Sequence, residues 1–237
     1  AISKQLQRSI TRQLQDQRRG GKQTGLYMGR RLDIHSLPRN DGRVFSKMSL
    51  PNETPELALA LLLDESGSMG CGSRATYARA SAIILYDFCQ SLGIPVMVYG
   101  HSAYSGVELY SYAEFDSIDK LDRYRLMDIS ARGNNRDGAA LRFVAEQLVK
   151  RPEEVKILIL VSDGQPAAPG YYDSAAEEDL RGIRQEYRRK GVLFIAAAIG
   201  EDKQNIERIY GDSFMDITDL NQLPVKLTAA VKRHMRV

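Results

Sequence analysis

Asp64-Glu65-Ser66-Gly67-Ser68 sets one carboxylate and two hydroxyls at alternate positions, directly after an apolar run at residues 57–63. These are hard oxygen donors, the ligand type that suits Mg²⁺ or Mn²⁺ and, less well here, Ca²⁺. A second apolar run, residues 155–161, ends in Ser162-Asp163-Gly164. Between the two lies a polar loop, Gly133-Asn134-Asn135-Arg136-Asp137-Gly138, ahead of an amphipathic stretch. If both apolar runs are strands that end at one sheet edge, Asp64 and Asp163 can share an ion with Ser66 and Ser68. Asn135 offers a carbonyl oxygen from the middle loop and Asp137 competes with it; either can instead cap the following helix. Singly, Ser66 and Ser68 read more readily as turn or cap residues. Only the conjunction of three segments points to a discontinuous divalent-ion site.

A divalent cation held mainly by neutral oxygen donors is under-neutralised and attracts a carboxylate from another molecule, which is costly to bury unpaired. Glu65, Met69, Gly70, Cys71 and Gly72 are placed to form the rim of such a site, with His101 and Ser102 ending a neighbouring strand on the same edge. Two enzymatic readings compete. Ser66-Gly67-Ser68-Met69-Gly70 approximates a nucleophile elbow, with Asp163 or Asp216 and then His234 completing a triad. Against it, Asp64 would set negative charge beside a developing oxyanion. Gly70-Cys71-Gly72-Ser73-Arg74-Ala75 imitates a dinucleotide fingerprint, but the ribose-binding acid is missing where His101 and Ser102 stand. No Walker A motif occurs in the chain, so no ATPase activity is expected of it and the expectation is a non-enzymatic role.

The elements that must position these residues alternate. Strands are expected at 57–64, 96–99, 155–161, 192–199 and 214–217, with 107–115 returning antiparallel beside the second. Helices are expected over 74–92, 117–126, 137–151, 174–190, 203–210 and 220–235, the first presenting Tyr77, Ser81, Ile84, Leu85, Phe88 and Leu92 on one face. The pattern predicts an α/β fold with a mostly parallel, six-stranded, Rossmann-like sheet, helices on both faces and one antiparallel edge strand. Ligands of such sheets bind beyond the strand carboxyl ends where strand order reverses. Residues 56–237 are expected to form this domain. Residues 1–55 form a basic lead-in: Ile2, Leu6, Ile10 and Leu14 recur at helical spacing before Gly20-Gly21 breaks the pattern.

The 237 residues are 43% hydrophobic and 27% charged, ordinary for a globular chain with a sizeable core. Residues 1–31 hold eight basic side chains against Asp16 alone, a net +7, so a whole-chain charge of +3 leaves −4 for the remainder. A solvated helix face or packing against the domain is the expected role of that basic arm, ahead of contact with an acidic partner, nucleic acid or membrane headgroups, and no nucleic-acid partner is expected. No apolar run reaches the roughly 20 residues that span a bilayer. Cys71 and Cys89 lack metal-ligand spacing and read as reduced thiols. The chain starts at Ala1 with neither an initiator Met nor a basic-then-apolar leader, and a trimmed chain in a cytoplasmic setting is the expectation.

Asp64-x-Ser66-x-Ser68, the middle polar loop and Ser162-Asp163-Gly164 together resemble a von Willebrand factor type A domain with its metal-ion-dependent adhesion site, over about residues 57–236. The resemblance implies that the two serines bind the ion directly and the two aspartates act through water. It departs at the middle loop, where Asn135 stands in place of the family's usual Thr. Residues 62–69, residues 156–166 and the lead-in Leu32-Asp33 … Val44-Phe45-Ser46-Lys47-Met48 are similar to intracellular bacterial members. These segments look like the von Willebrand-type subunit of aerobic cobaltochelatases, and less closely like nitric-oxide-reductase activation proteins. This narrower resemblance implies an adaptor that grips an acidic residue of a partner and works beside an AAA+ ATPase. A non-catalytic subunit of a metal-insertion complex and a secreted adhesin are the alternatives.

Overall fold

The computed structural model describes residues 2, 4, 5, 8, 9, 22–27, 31–39, 42–48, 56–117, 121–164, 166–199, 203–223, 225–227, 229 and 230. The chain forms two compact units: Ile10–Pro55, and Ala1–Ser9 with Glu56–Val237. In the smaller, β1 (Lys22–Leu26), β2 (Arg31–Leu32) and β3 (Phe45–Met48) make an antiparallel sheet in the order β1-β3-β2. Sequence reading did not anticipate these strands, which are short and alternate too briefly to show a period. Residues 2, 4, 5, 8 and 9 are helical, and the rest of the expected N-terminal helix lies outside the described residues.

The larger unit starts with β4 (Leu57–Asp64), whose eight residues are all buried. An uninterrupted apolar strand must be covered on both faces, and that places it at the centre of a parallel sheet. α1 (Arg74–Leu92) crosses to β5 (Val96–Ala103), and β6 (Val107–Ala113) turns back antiparallel to it. After α2 (Asp122–Arg125) and the long α3 (Asp137–Val149), β7 (Val155–Ser162) pairs on the other side of β4. A short hairpin, β8 (Ala167–Ala168) with β9 (Tyr171–Tyr172), precedes α4 (Asp173–Arg189) and β10 (Val192–Ala198). α5 (Lys203–Tyr210) and β11 (Phe214–Asp216) follow, and the last described residues, 223 to 230, are helical wherever they are described.

The six strands run β11-β10-β7-β4-β5-β6, parallel except for β6 at the edge. The chain leaves β4 toward β5 on one side and later returns to β7 on the other, so the order reverses between β4 and β7. Leu63 pairs with Val161, which sets Asp64 beside Ser162 at that reversal. Ala58, Ala60 and Leu62 of β4 pack in one cluster with Leu141, Val144 and Leu148 of α3 and Leu180 and Ile183 of α4. Burying each such leucine contributes about 2 kcal/mol, so the strand ends rest on a rigid floor.

Two local outcomes differ from the sequence pattern. β5 runs through to Ala103, which draws His101 and Ser102 into the sheet. The buried stripe of α1 is Ala78, Ser81, Ala82, Leu85, Phe88 and Cys89, while Tyr77 is exposed. The small alanines let the helix lie close to the sheet, and that rotates the larger Tyr77 outward. Among the described residues, no helix is long and apolar enough to cross a membrane.

Candidate metal centre

Asp64 ends β4 and is the hub of the site. Its Oδ1 accepts the Ser66 backbone N–H at 2.8 Å; its Oδ2 accepts Asn135 Nδ2 at 2.7 Å and Ser162 Oγ at 2.9 Å. Ser66 and Ser68 hydroxyls lie 3.0 Å apart, and Ser68 Oγ donates to Asp163 Oδ1 at 3.0 Å. The five oxygen-bearing residues singled out in the sequence therefore form one connected cluster. They come from three strand ends or loops up to 99 residues apart, from Asp64 to Asp163.

The middle loop is stitched to both neighbours. Ala103 and Asn134 exchange backbone hydrogen bonds at 2.8 Å, and Ala167 N donates to Asn135 O at 3.2 Å. Gly67 N donates to Gly133 O and Arg132 N to Glu65 O, each at 2.6 Å. Backbone bonds thus hold the first and second loops in register, so Asn135 is positioned by the fold and not by its own rotamer preference.

Charge at the site is costly. The Asp64 carboxyl is pushed up to about 6 from its ordinary 3.8, first by burial and then by Asp137, with Asp163 adding to the effect and His101 opposing it. Burial works against protonation of His101, but Asp137, Asp64 and Glu65 outweigh it and its pKa is raised. His101 Nε2 lies 3.1 Å from Asp137 Oδ1. The two buried groups form an ion pair when His101 is protonated. A buried acid with a raised pKa stabilises the fold while protonated. That contribution is complete below 3.8 and is lost as pH rises through about 6. His101 has the same sign: its contribution is present below its ordinary 6.5 and lost as pH rises through its raised value. In chelator, the melting temperature is therefore expected to fall as pH rises from about 3.8 through about 6, and saturating Mg²⁺ should shrink that fall. A melting temperature that is flat or rising across this window in chelator would contradict the assigned cost of the Asp64 charge.

The donor set fits a hydrated hard cation. Asn135 Oδ1 and His101 Nδ1 are buried side-chain polar atoms without a hydrogen-bond partner among the described residues, while His101 Nε2 and Asp137 Oδ1 face each other. Buried polar atoms are rarely left unpaired, and their concentration here marks a place built for a polar occupant. No group of three or more His, Cys, Asp and Glu side chains is arranged for a metal among the described residues. An ion here must draw on hydroxyl and amide oxygens, with Asp64 and Asp163 as the carboxylates.

The expected rim is largely corrected. Glu65 is 1% exposed and points inward, where Tyr112 Oη donates to its Oε1 at 2.5 Å and Arg132 Nε to its Oε2 at 2.6 Å. Met69 and His101 are also buried, as is Ser102, because apolar and strand neighbours cover them. Gly70, Cys71 and Gly72 are exposed as anticipated. Asp137 does not cap: Arg136 holds the N-cap position without a side-chain cap bond, and Asp137 is the first residue of α3, buried against His101. Ser66 and Ser68 likewise make no cap bond. Sequence reasoning gave no role to Ser162, although it stood in the Ser162-Asp163-Gly164 motif, and missed Arg132, Tyr112 and Arg74, whose Nη1 lies 2.6 Å from Asp163 Oδ2. Only Arg74 carried a signal, a basic residue opening a helix against the helix dipole.

The family model for the von Willebrand factor type A domain matches residues 58–228. The chain is 25% identical over 206 residues to the uncharacterized protein YojO of Bacillus subtilis, covering 81% of this chain and 32% of that protein. It is 26% identical over 174 residues to the protein NorD of Brucella suis, covering 72% of this chain and 24% of that one. It therefore spans a third or less of these relatives' lengths. Among solved structures, the PilB minor pilin of Streptococcus sanguinis superposes with a TM-score of 0.55 at 13% identity, over 81% of this chain and 65% of that chain. Proximal thread matrix protein 1 of the mussel byssus, with a zinc-occupied MIDAS motif, superposes at 0.53 and 19% identity, over 75% and 47%.

Proposed function

The chain belongs to the von Willebrand factor type A domain family, and on that footing we propose that it is a metal-dependent protein-interaction module whose site captures a partner's carboxylate. The observation that carries this reading is the convergence of Asp64, Ser66, Ser68, Asn135 and Asp163 on one sheet edge, with Asn135 Oδ1 buried and unpaired. Ser66, Ser68 and Asn135 would hold Mg²⁺ or Mn²⁺ directly, and the two aspartates would neutralise it from the second layer. A bound divalent ion supplies positive charge and an open coordination position for an acidic side chain. Asp64 is fixed by three donors, so it orients the loop without reaching out to a partner. Gly70, Cys71 and Gly72 leave the approach to the site uncrowded.

The chain's own role is non-catalytic in this reading. The Ser66 and Ser68 hydroxyls bond to each other and to Asp163, and no imidazole is among their described partners. His234, which a hydrolase triad would need, lies outside the described residues. The resemblance of residues 62–69 and 156–166 to intracellular bacterial members is the ground on which an adaptor role, an AAA+ ATPase partner and a cytoplasmic setting are proposed.

Calorimetric titration of Mn²⁺ into the purified chain tests the proposal. One-site binding is expected in the wild type, weakened by about 10- to 100-fold in Asp163→Ala, as is usual for groups that orient metal ligands. A partner retained equally with and without chelator would overturn the adhesion mechanism.

A further inference from the structure

Arg74 opens α1 where a positive charge is disfavoured. The exposed N–H groups of a helix's first turn carry partial positive charge, and the first turn of α1 has no acidic residue to offset it. The backbone reaches this position through two left-handed residues, Gly72 at φ +56° and Ser73 at φ +63°. Glycine adopts that region freely, but a serine there is strained. Ser73 recovers nothing by capping, since its side chain makes no cap bond. Set against the strain and the unfavourable dipole, the guanidinium is aimed at Asp163. Nη1 donates to Asp163 Oδ2 at 2.6 Å, with the two side chains 18% and 3% exposed. Ser68 Oγ holds the other oxygen. Both oxygens of Asp163 are thereby engaged.

We propose that Arg74 is the resting counter-cation of the metal centre: it neutralises Asp163 and must release that carboxylate when a cation enters, so it sets which cations the site accepts. The inference rests on the ion-site reading above. A monovalent cation would exchange one positive charge for another and forfeit a directed, charge-assisted hydrogen bond. A divalent cation brings twice the charge to a buried carboxylate, and coulombic energy scales with that charge. Arg74 thus imposes a threshold that favours divalent over monovalent ions and lowers the affinity for both. A purely structural bridge between α1 and the loop after β7 would affect stability alone.

The test is calorimetric titration of Mn²⁺ into the wild-type chain, Arg74→Gln and Asp163→Ala, with melting curves alongside and Na⁺ as competitor. Arg74→Gln is expected to bind Mn²⁺ about tenfold more tightly, the equivalent of one hydrogen bond to a charged group. The gain should persist at roughly 1 M ionic strength, because a buried pair is screened far less than a surface one. Na⁺ should compete measurably in the variant and not in the wild type. Arg74→Lys, which keeps the charge but not the fork, should fall between them, and it serves if the Gln variant melts too low to titrate. Equal or weaker Mn²⁺ affinity in both Arg74 variants, with the wild type binding, would overturn the counter-cation and leave the ion site standing. Silence in the wild type and in every variant would overturn the ion site and the counter-cation with it.

Discussion

Asp64→Ala is expected to weaken divalent-ion binding by about 100-fold, and to destabilise the metal-free chain as well. Two effects on stability oppose each other. Removing the carboxylate relieves a buried charge whose pKa stands at about 6 instead of 3.8, a relief on the order of 3 kcal/mol at neutral pH. It also leaves the Ser66 N–H, Asn135 Nδ2 and Ser162 Oγ without their acceptor, at about 1–3 kcal/mol for each buried donor. The donors win, and a net loss of about 2–4 kcal/mol is expected by urea unfolding in chelator. Asp64→Asn separates the two functions. Its amide oxygen can still accept from Asn135 and Ser162, but its NH₂ leaves the Ser66 N–H without an acceptor, so the fold should be retained at a smaller cost than in Asp64→Ala and the ion lost. An Asp64→Asn chain that titrates Mn²⁺ like the wild type would remove Asp64 from the metal centre.

Gly100→Ala should be the most damaging single methyl group in the sheet, at about 3–5 kcal/mol. A Cβ at Gly100 would stand 1.8 Å from Glu65 Oε1, 2.7 Å from Glu65 Cδ and 2.9 Å from Tyr112 Cε2. The carboxylate cannot step aside cheaply. It is buried and pinned between the Tyr112 hydroxyl and the Arg132 guanidinium, which also lies over the Tyr110 ring at 4.2 Å. Displacing it would break a mostly buried ion pair in which only Arg132 is partly exposed, at 33%. The Glu65 backbone also links His101 O, by its N–H at 2.9 Å, to Arg132 N, by its carbonyl. The methyl group should therefore loosen the loop that carries Ser66 and Ser68, and weaken Mn²⁺ binding together with stability. Urea unfolding of Gly100→Ala, Glu65→Ala and the double variant checks the cause. If the clash is the mechanism, the double variant costs less than the two single costs added. Strict additivity would mean that Gly100 matters for another reason.

The uninterrupted apolar runs at 57–63 and 155–161, each ending in acidic and hydroxyl residues, were sufficient by themselves to imply a parallel α/β sheet with hard oxygen donors at its carboxyl edge. Such features are local: strand burial and helical period are written into consecutive residues. Asp64, Ser66, Ser68, Asn135 and Asp163 were legible as candidates for the same reason, since each stands where a strand must stop or a helix must start. The direction in which neighbouring polar side chains turn was not legible. Glu65 lies between two candidate site residues and looks like part of the rim, yet it faces inward because Gly100 leaves room and Arg132 and Tyr112 complete its pairing. His101 is drawn into the sheet because β5 continues to Ala103 and pairs with β6. Arg74 meets Asp163 across 89 residues of sequence only because α1 begins at the switch point between β4 and β7. Composition and period determine which residues reach the sheet edge. Pairing between distant segments, with the space each leaves the other, selects those that turn into the site.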